Sequence, residues 1–263
     1  MFSVTILGNN SAVPAYERLP TSQLVNFDGQ HFLVDCGEGT QMQLLRYKIR
    51  VSRISHIFIS HLHGDHYFGL IGLINSFGLL NRQQDLHVYG PPLLKDILDL
   101  QLKAAQTRLP FLLHFHEIKE AGLLFENEFI TINCFATDHR IHCHGFSFTE
   151  KKLTRKLAAM GVAPRRYAYC ADTRYYEPII EQVRDFDLIY HEATYLDDQR
   201  EKAELRYHST AKQAAELARK ANVKRLLLGH FSSQYEHLSP FEEEAKAVFP
   251  ATENALQGVT YFI

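Results

Sequence analysis

Short apolar runs of strand length recur from one end of the chain to the other: "FSVTIL", "HFLVDCG", "ISHIFIS", "LHVYG", "FITINCFAT", "YAYCAD", "FDLIYHEA", "KRLLLGH" and "GVTYFI". Between them, apolar residues spaced three and four apart predict helices over 40–48, 69–80, 93–108, 178–184, 210–220 and 240–248. Ser209 or Thr210, and Ser239, are expected N-caps. Strands alternating with helices leave little but the α/β class, with a meander expected near 123–150. No Ser/Gly/Pro-rich linker and no repeat of fixed period interrupts the pattern, so residues 1–263 are expected to form a single domain. With 46% apolar residues, that domain can bury a full core without staples.

The stretch "HLHGDH" follows one of these strands and puts His61, His63, Asp65 and His66 within six positions. Alternate residues of an extended segment face the same way, so His61 and His63 can meet one cation. Asp65 and His66, displaced by a tight loop at Gly64, can meet a second about 3.5–4 Å away. As a merely solvated loop, three imidazoles this close would repel once protonated and gain little. Two ions want about four to five donors each, some of them shared. Candidates stand just past other strands: His139 in "FATDHRIHCHGF", Asp172 in "YCADTR" and His230 in "LLLGHFSSQY". A set dominated by histidine favours two zinc ions over magnesium, with manganese and iron left open.

Composition excludes little beyond this. A net charge of −2 argues against a protein that coats nucleic acid nonspecifically, though a local basic patch can still grip phosphate. Cys36, Cys134, Cys143 and Cys170 form no CxxC pair, which predicts reduced thiols. The N-terminal residues lack a basic start with an apolar run, and nowhere do about 18 apolar residues follow one another. The expectation is a soluble, cytoplasmic protein without a membrane partner. There is no GxSxG elbow, no phosphate-binding GxxxxGK[ST] loop and no zinc ribbon.

"HLHGDH" with later His, Asp and His resembles the metallo-β-lactamase superfamily, which implies an αββα four-layer sandwich with metals at one sheet edge. Within it, "GNNSAVPAYERLPTS", "FLVDCGEGTQMQLLR", "VYGPP", "HEATY", "YHSTAKQAAELA" and "GHFSSQY" occur in the order seen in the ribonuclease Z family. That resemblance covers nearly the whole chain and implies a metal-dependent endoribonuclease that removes the 3′ trailer from precursor tRNA. It makes His61, His63 and His139 the ligands of one metal and Asp65, His66 and His230 those of the other, with Asp172 bridging. It makes Asp35 a structural aspartate, Asp65 the group that orients the nucleophile, and Glu192 with His208 the pair that protonates the leaving oxygen. It also implies a homodimer. Taken without the resemblance, Glu192 reads as a residue past a strand and His208 as a helix-start residue.

One departure stands out. Family members usually carry a long tRNA-clasping arm between the strands bearing the equivalents of His139 and Asp172, and here only "GFSFTEKKLTRKLAAMGVAPRRYAYC" spans that interval, so the arm is missing or reduced to a stub. The stub is basic, with Lys151, Lys152, Arg155, Lys156, Arg165 and Arg166. It reads either as a phosphate-binding element or as a solvated cationic face. The alternative function is a phosphodiesterase acting on small or cyclic diesters, which an armless site would suit. His31, His56, His87, His114, His116, His142, His144 and His237 carry no inference from spacing.

Overall fold

Phe2–Gly8 (β1) is buried along almost its whole length because it pairs on both sides, with Ser22–Phe27 (β2) and with Thr260–Phe262 (β14) from the far end of the sequence. The computed structural model describes residues 1–151 and 163–263. β2 and Gln30–Val34 (β3) form an antiparallel hairpin across Asp28 and Gly29, whose φ values of 50° and 87° are both left-handed. Two-residue hairpin loops demand that backbone, which is why Asp-Gly suits them. From β3 onward the pairing becomes parallel, and parallel neighbours need a crossover. Helix α1 (Thr40–Arg46) leads to β4 (Ile54–Phe58), α3 (Leu70–Leu79) to β5 (Leu86–Gly90), and α4 (Leu94–Ala104) to β6 (Leu113–Glu117). A short helix α2 (Gly64–Tyr67) precedes α3.

The described strands form two seven-stranded sheets, each within its own compact unit. The first unit comprises Met1–Lys119, Ser232–Glu236 and Leu256–Phe262. Its helices bury Leu44, Leu70, Leu73 and Phe77 against Ile57 and Val88 of the sheet. Because side chains alternate along a strand, Ile57 goes to the helices while His56 and Phe58 go to the opposite face. There His56, His87 and His114 stack across β4, β5 and β6 with ring centroids 4.9 and 4.7 Å apart. Phe58, Tyr89 and His116 make a second row at 4.8 and 4.3 Å.

The second unit comprises Glu120–Phe231 and His237–Ala255, with Ile263. Gly122–Glu126 (β7), Ile130–Ala136 (β8), His144–Glu150 (β9) and Arg166–Cys170 (β10) are antiparallel neighbours, the expected meander plus one strand. Leu188–Glu192 (β11), Leu226–Gly229 (β12) and Thr252–Asn254 (β13) then add in parallel. Tyr167, Tyr169 and Tyr190 are buried, and Tyr169 stacks on Tyr190 across β10 and β11 with ring centroids 5.3 Å apart. The helix Ala211–Lys220 opens with a capping box in which Thr210 Oγ1 accepts the Gln213 N–H and Gln213 Oε1 accepts the Thr210 N–H. Such a cap is worth about 1 kcal/mol.

All six expected helices are present, five of them ending one to four residues early. Ser239 is the first residue of Ser239–Lys246, and Leu238 takes the cap position. β2, β6 and β13 escaped the sequence pattern, although Asp28-Gly29 is a hairpin signal for the first of them. The basic stub also reads differently. Lys151 pairs with Glu126 at 2.7 Å, Arg165 forks onto both oxygens of Glu150 at 2.9 Å, and Arg166 stacks on Phe186 while its backbone N–H reaches Asp187. These three cations are tied to partners in the fold; Lys152, Arg155 and Lys156 lie outside the described residues. No helix among the described residues is long and apolar enough to cross a membrane, and the four cysteines, all buried, form no disulfide.

Candidate metal centre

In the first unit, Asp35 and Ser60 stand just past the ends of the parallel strands β3 and β4. Asp35 is wholly buried, with a left-handed φ of 52°, a conformation costly for a residue other than glycine and held only where the surroundings over-determine it. Its Oδ1 accepts the Ser60 N–H at 2.8 Å, and its Oδ2 accepts the Ser60 hydroxyl at 2.9 Å and lies 2.7 Å from His66 Nδ1. Ser60 Oγ is also 3.0 Å from His61 Nδ1. The far nitrogens then turn to the neighbouring donors: His61 Nε2 lies 3.0 Å from His63 Nδ1, and His66 Nε2 lies 3.5 Å from Asp65 Oδ2. Two imidazole nitrogens on one tetrahedral zinc ion stand about 3.3 Å apart, so the first spacing is that of co-ligands. Asp65 and His66 sit on the helical turn α2 and not on the tight loop expected, because Gly64 begins a helix there.

In the second unit, strand direction does the gathering. β10, β11 and β12 are parallel, and β8, two antiparallel steps from β10, runs the same way. All four therefore end at one edge, where His139, Asp172, Glu192 and His230 follow or close the strands; ligands of α/β sheets gather at such carboxyl ends. His139 Nδ1 is 3.0 Å from the Tyr207 carbonyl, which leaves Nε2 3.9 Å from Asp172 Oδ2. His230, with φ 59°, has Nδ1 2.9 Å from Thr194 Oγ1 and Nε2 3.2 Å from Asp172 Oδ1. Asp172, His208 and His230 each offer a ligand atom, and these atoms lie within 4.8 Å of one another.

Glu192 and His208 form the second feature of this edge. His208 Nδ1 lies 2.8 Å from Glu192 Oε1, and the carboxylate is wholly buried. It accepts the Thr173 N–H at 3.1 Å, the Thr194 N–H at 2.9 Å and the Thr194 hydroxyl at 2.8 Å. Burial opposes its ionisation, but the charge and hydrogen bond of His208 outweigh that and hold its carboxyl below the usual range. Burial lowers the pKa of His139 against the pull of Asp172 and Tyr207, which favours the neutral ring a cation requires.

These donors fit a pair of divalent cations. They are imidazole nitrogens and carboxylates with no thiol, and the nitrogen behind each of His61, His66, His139 and His230 is braced by a hydroxyl, a carboxylate or a carbonyl, the outer arrangement that orients metal-bound histidines. Ser60, Thr173, Thr194 and the Tyr207 carbonyl escaped the sequence reading because none is a ligand type. Two of them had a signal, Thr194 from its place inside "HEATY" and Tyr207 from its place at the head of "YHSTAKQAAELA". The stacked His56, His87, His114 and His116 also escaped it; only strand register brings them together.

A family model described as the β-lactamase superfamily domain matches residues 30–231. The chain is 39% identical to the ribonuclease Z of Bacteroides thetaiotaomicron, over 95% of this chain and 92% of the relative. That alignment runs over 290 positions against the 263 residues here, so the relative carries residues this chain lacks. Identity to the ribonuclease Z of Azobacteroides pseudotrichonymphae is 40%, with 95% of each covered. Among solved structures, human tRNase Z, short form, superposes with a TM-score of 0.84 at 30% identity, covering 99% of both chains.

Proposed function

The chain belongs to the ribonuclease Z family within the β-lactamase superfamily, and from that premise we propose that it is a metal-dependent endoribonuclease that cuts the 3′ trailer from precursor tRNA and leaves a 3′-hydroxyl. His61, His63 and His139 would hold one cation and Asp65, His66 and His230 the other, with Asp172 shared between them. Residues 1–263 work as one functional domain. The cations are zinc, favoured by the histidine-rich donor set. When bound, such a pair activates water at neutral pH and neutralises phosphate oxygens.

The observation that carries the reading is the Glu192–His208 pair. Hydrolysis of an RNA diester must expel a ribose 3′-oxygen, a poor leaving group that needs a proton. Glu192, fixed by three donors, holds His208 through Nδ1 and raises the proton affinity of the ring. His208 then presents its Nε2 proton to the departing oxygen, while Asp65 orients the attacking water. The new bond joins the water oxygen to phosphorus, the bond to the 3′-oxygen breaks, and the trailer leaves with a 5′-phosphate.

The same reading makes the protein a cytoplasmic homodimer. On the first unit, Leu45 of α1, Leu79 at the end of α3 and the adjoining Leu80 are exposed apolar side chains lining one pocket, a surface of the kind that marks association. The deciding experiment offers zinc-loaded protein a trailer-bearing tRNA beside a small chromogenic diester and maps the product ends. Cleavage at the trailer junction with a 3′-hydroxyl on the tRNA is expected. Turnover of the small diester with intact tRNA would replace this reading with that of a small-diester phosphodiesterase.

A further inference from the structure

The segment Asn9–Pro20, between β1 and β2, contains no helix or long strand, yet it is fixed at every turn. The N–H groups of Asn9 and Asn10 both donate to the Leu19 carbonyl at 3.0 Å and close its base. Inside, Asn10 Nδ2 donates to the Val13 carbonyl at 2.6 Å, and Asn10 Oδ1 accepts Arg18 Nε at 2.9 Å. Arg18 is only 9% exposed, and its two other nitrogens donate to the Glu236 carbonyl at 2.9 Å and the Tyr235 carbonyl at 2.5 Å. One planar fork therefore ties the segment to a distant stretch of the same unit. Lysine, a single point donor on a flexible stem, cannot make those three bonds at once.

What this bracing holds in place is Ala12. Its φ of 63° is left-handed, which a residue with a Cβ adopts only under constraint, and in that pose its N–H donates to Asp65 Oδ2 at 2.7 Å. The packing around Asp65 has no slack: a Cβ on Gly37 would stand 2.4 Å from the Asp65 carbonyl oxygen and 2.8 Å from Pro20 Cβ. A hydrogen bond to a carboxylate oxygen sets its orientation and damps its basicity, the way outer groups tune a metal ligand.

We infer that Asn10 and Arg18 are positioning residues, which lock the 9–20 segment so that the Ala12 N–H orients the Asp65 carboxylate and sets its grip on a divalent cation. The inference rests on the reading of Asp65 as a metal ligand. Zinc titration of the metal-free full chain against a chromophoric chelator, alongside thermal unfolding, tests it. The variants are Arg18→Lys, Asn10→Asp, which keeps an acceptor for Arg18 but loses the amide donor to Val13, and an ester in place of the backbone amide N–H of residue 12, which removes that one donor.

The wild type should take up two zinc ions. Each variant should weaken one of the two about 10- to 100-fold and leave the other within a factor of about two. The ester should do so with the smallest change in unfolding temperature, a split that a general loss of structure would not produce. Unchanged affinities in the ester variant, or equal weakening of both ions in all three, would overturn the inference. A wild type that binds fewer than two ions would instead strike at the ligand assignment itself.

Discussion

In the first unit the donors come from six consecutive residues, His61 to His66, braced from behind by Asp35 and Ser60 at adjacent strand ends. In the second, His139, Asp172 and His230 come from three separate places in the chain, and only the common direction of β8, β10 and β12 brings them to one edge. A contiguous set depends on local backbone, and its members stand or fall together. A dispersed set depends on sheet register, so each member has its own neighbours to fail with. Asp172 is where the second set converges, with His139 and His230 directed at its two oxygens.

That contrast can be broken most severely at Asp172. Asp172→Ala should remove more than one side chain's share of the site, with zinc content falling below two per chain and RNA cleavage dropping by more than about 10⁴-fold, beyond what loss of a general acid explains. Metal analysis beside single-turnover cleavage checks it. If Asp172→Ala keeps both ions, the dispersed set has no centre. His208→Ala should come next, with kcat down about 10²- to 10⁴-fold and zinc content unchanged, since its task is the proton and not the metal. Full cleavage by that variant would end its assignment.

A different weakness belongs to the histidine ladder of the first unit. Burial pushes His56 down to about 3, and the charges of His87 and His116 push the same way. In the unfolded chain this ring takes its proton near 6.5, so between that pH and about 3 the unfolded state binds more protons and stability falls as pH falls. The contribution is whole above pH 6.5 and is on the order of several kcal/mol. His56→Phe should move the acid-unfolding midpoint of metal-free protein to lower pH, and hydrogen exchange in β4 and β5 should slow at pH 5. His144 of the second unit, pushed to about 4 by burial and by His142, makes that sheet the internal control.

The smallest expected effects sharpen the comparison from both sides. Ser60→Ala and Thr194→Val each remove a hydroxyl behind the ligands, and each should cost about 10- to 100-fold in affinity for zinc. Thr194 also donates to Glu192, so only its variant should alter the pH dependence of kcat. Identical pH profiles for the two would erase the distinction between the units.

The strand and helix periodicities, the thiols without disulfides, and the crowding of His61, His63, Asp65 and His66 were legible in the residues, because each is a pattern of near neighbours. His139, Asp172 and His230 were visible as singles past strands, while Glu192 and His208 needed the family resemblance to be singled out at all. Three things were decided only by tertiary contacts. Lys151, Arg165 and Arg166 look like a phosphate-binding run but are committed to Glu126, Glu150 and the neighbourhood of Phe186. Ser60 and Thr194 become part of the site through hydroxyls that no spacing rule marks. His56, His87 and His114, far apart in the chain, share one face of a parallel sheet. Local periodicity follows from backbone geometry and can be read along one dimension. The partner of a side chain depends on which strands pair and in what register, which is settled by burial of the whole core.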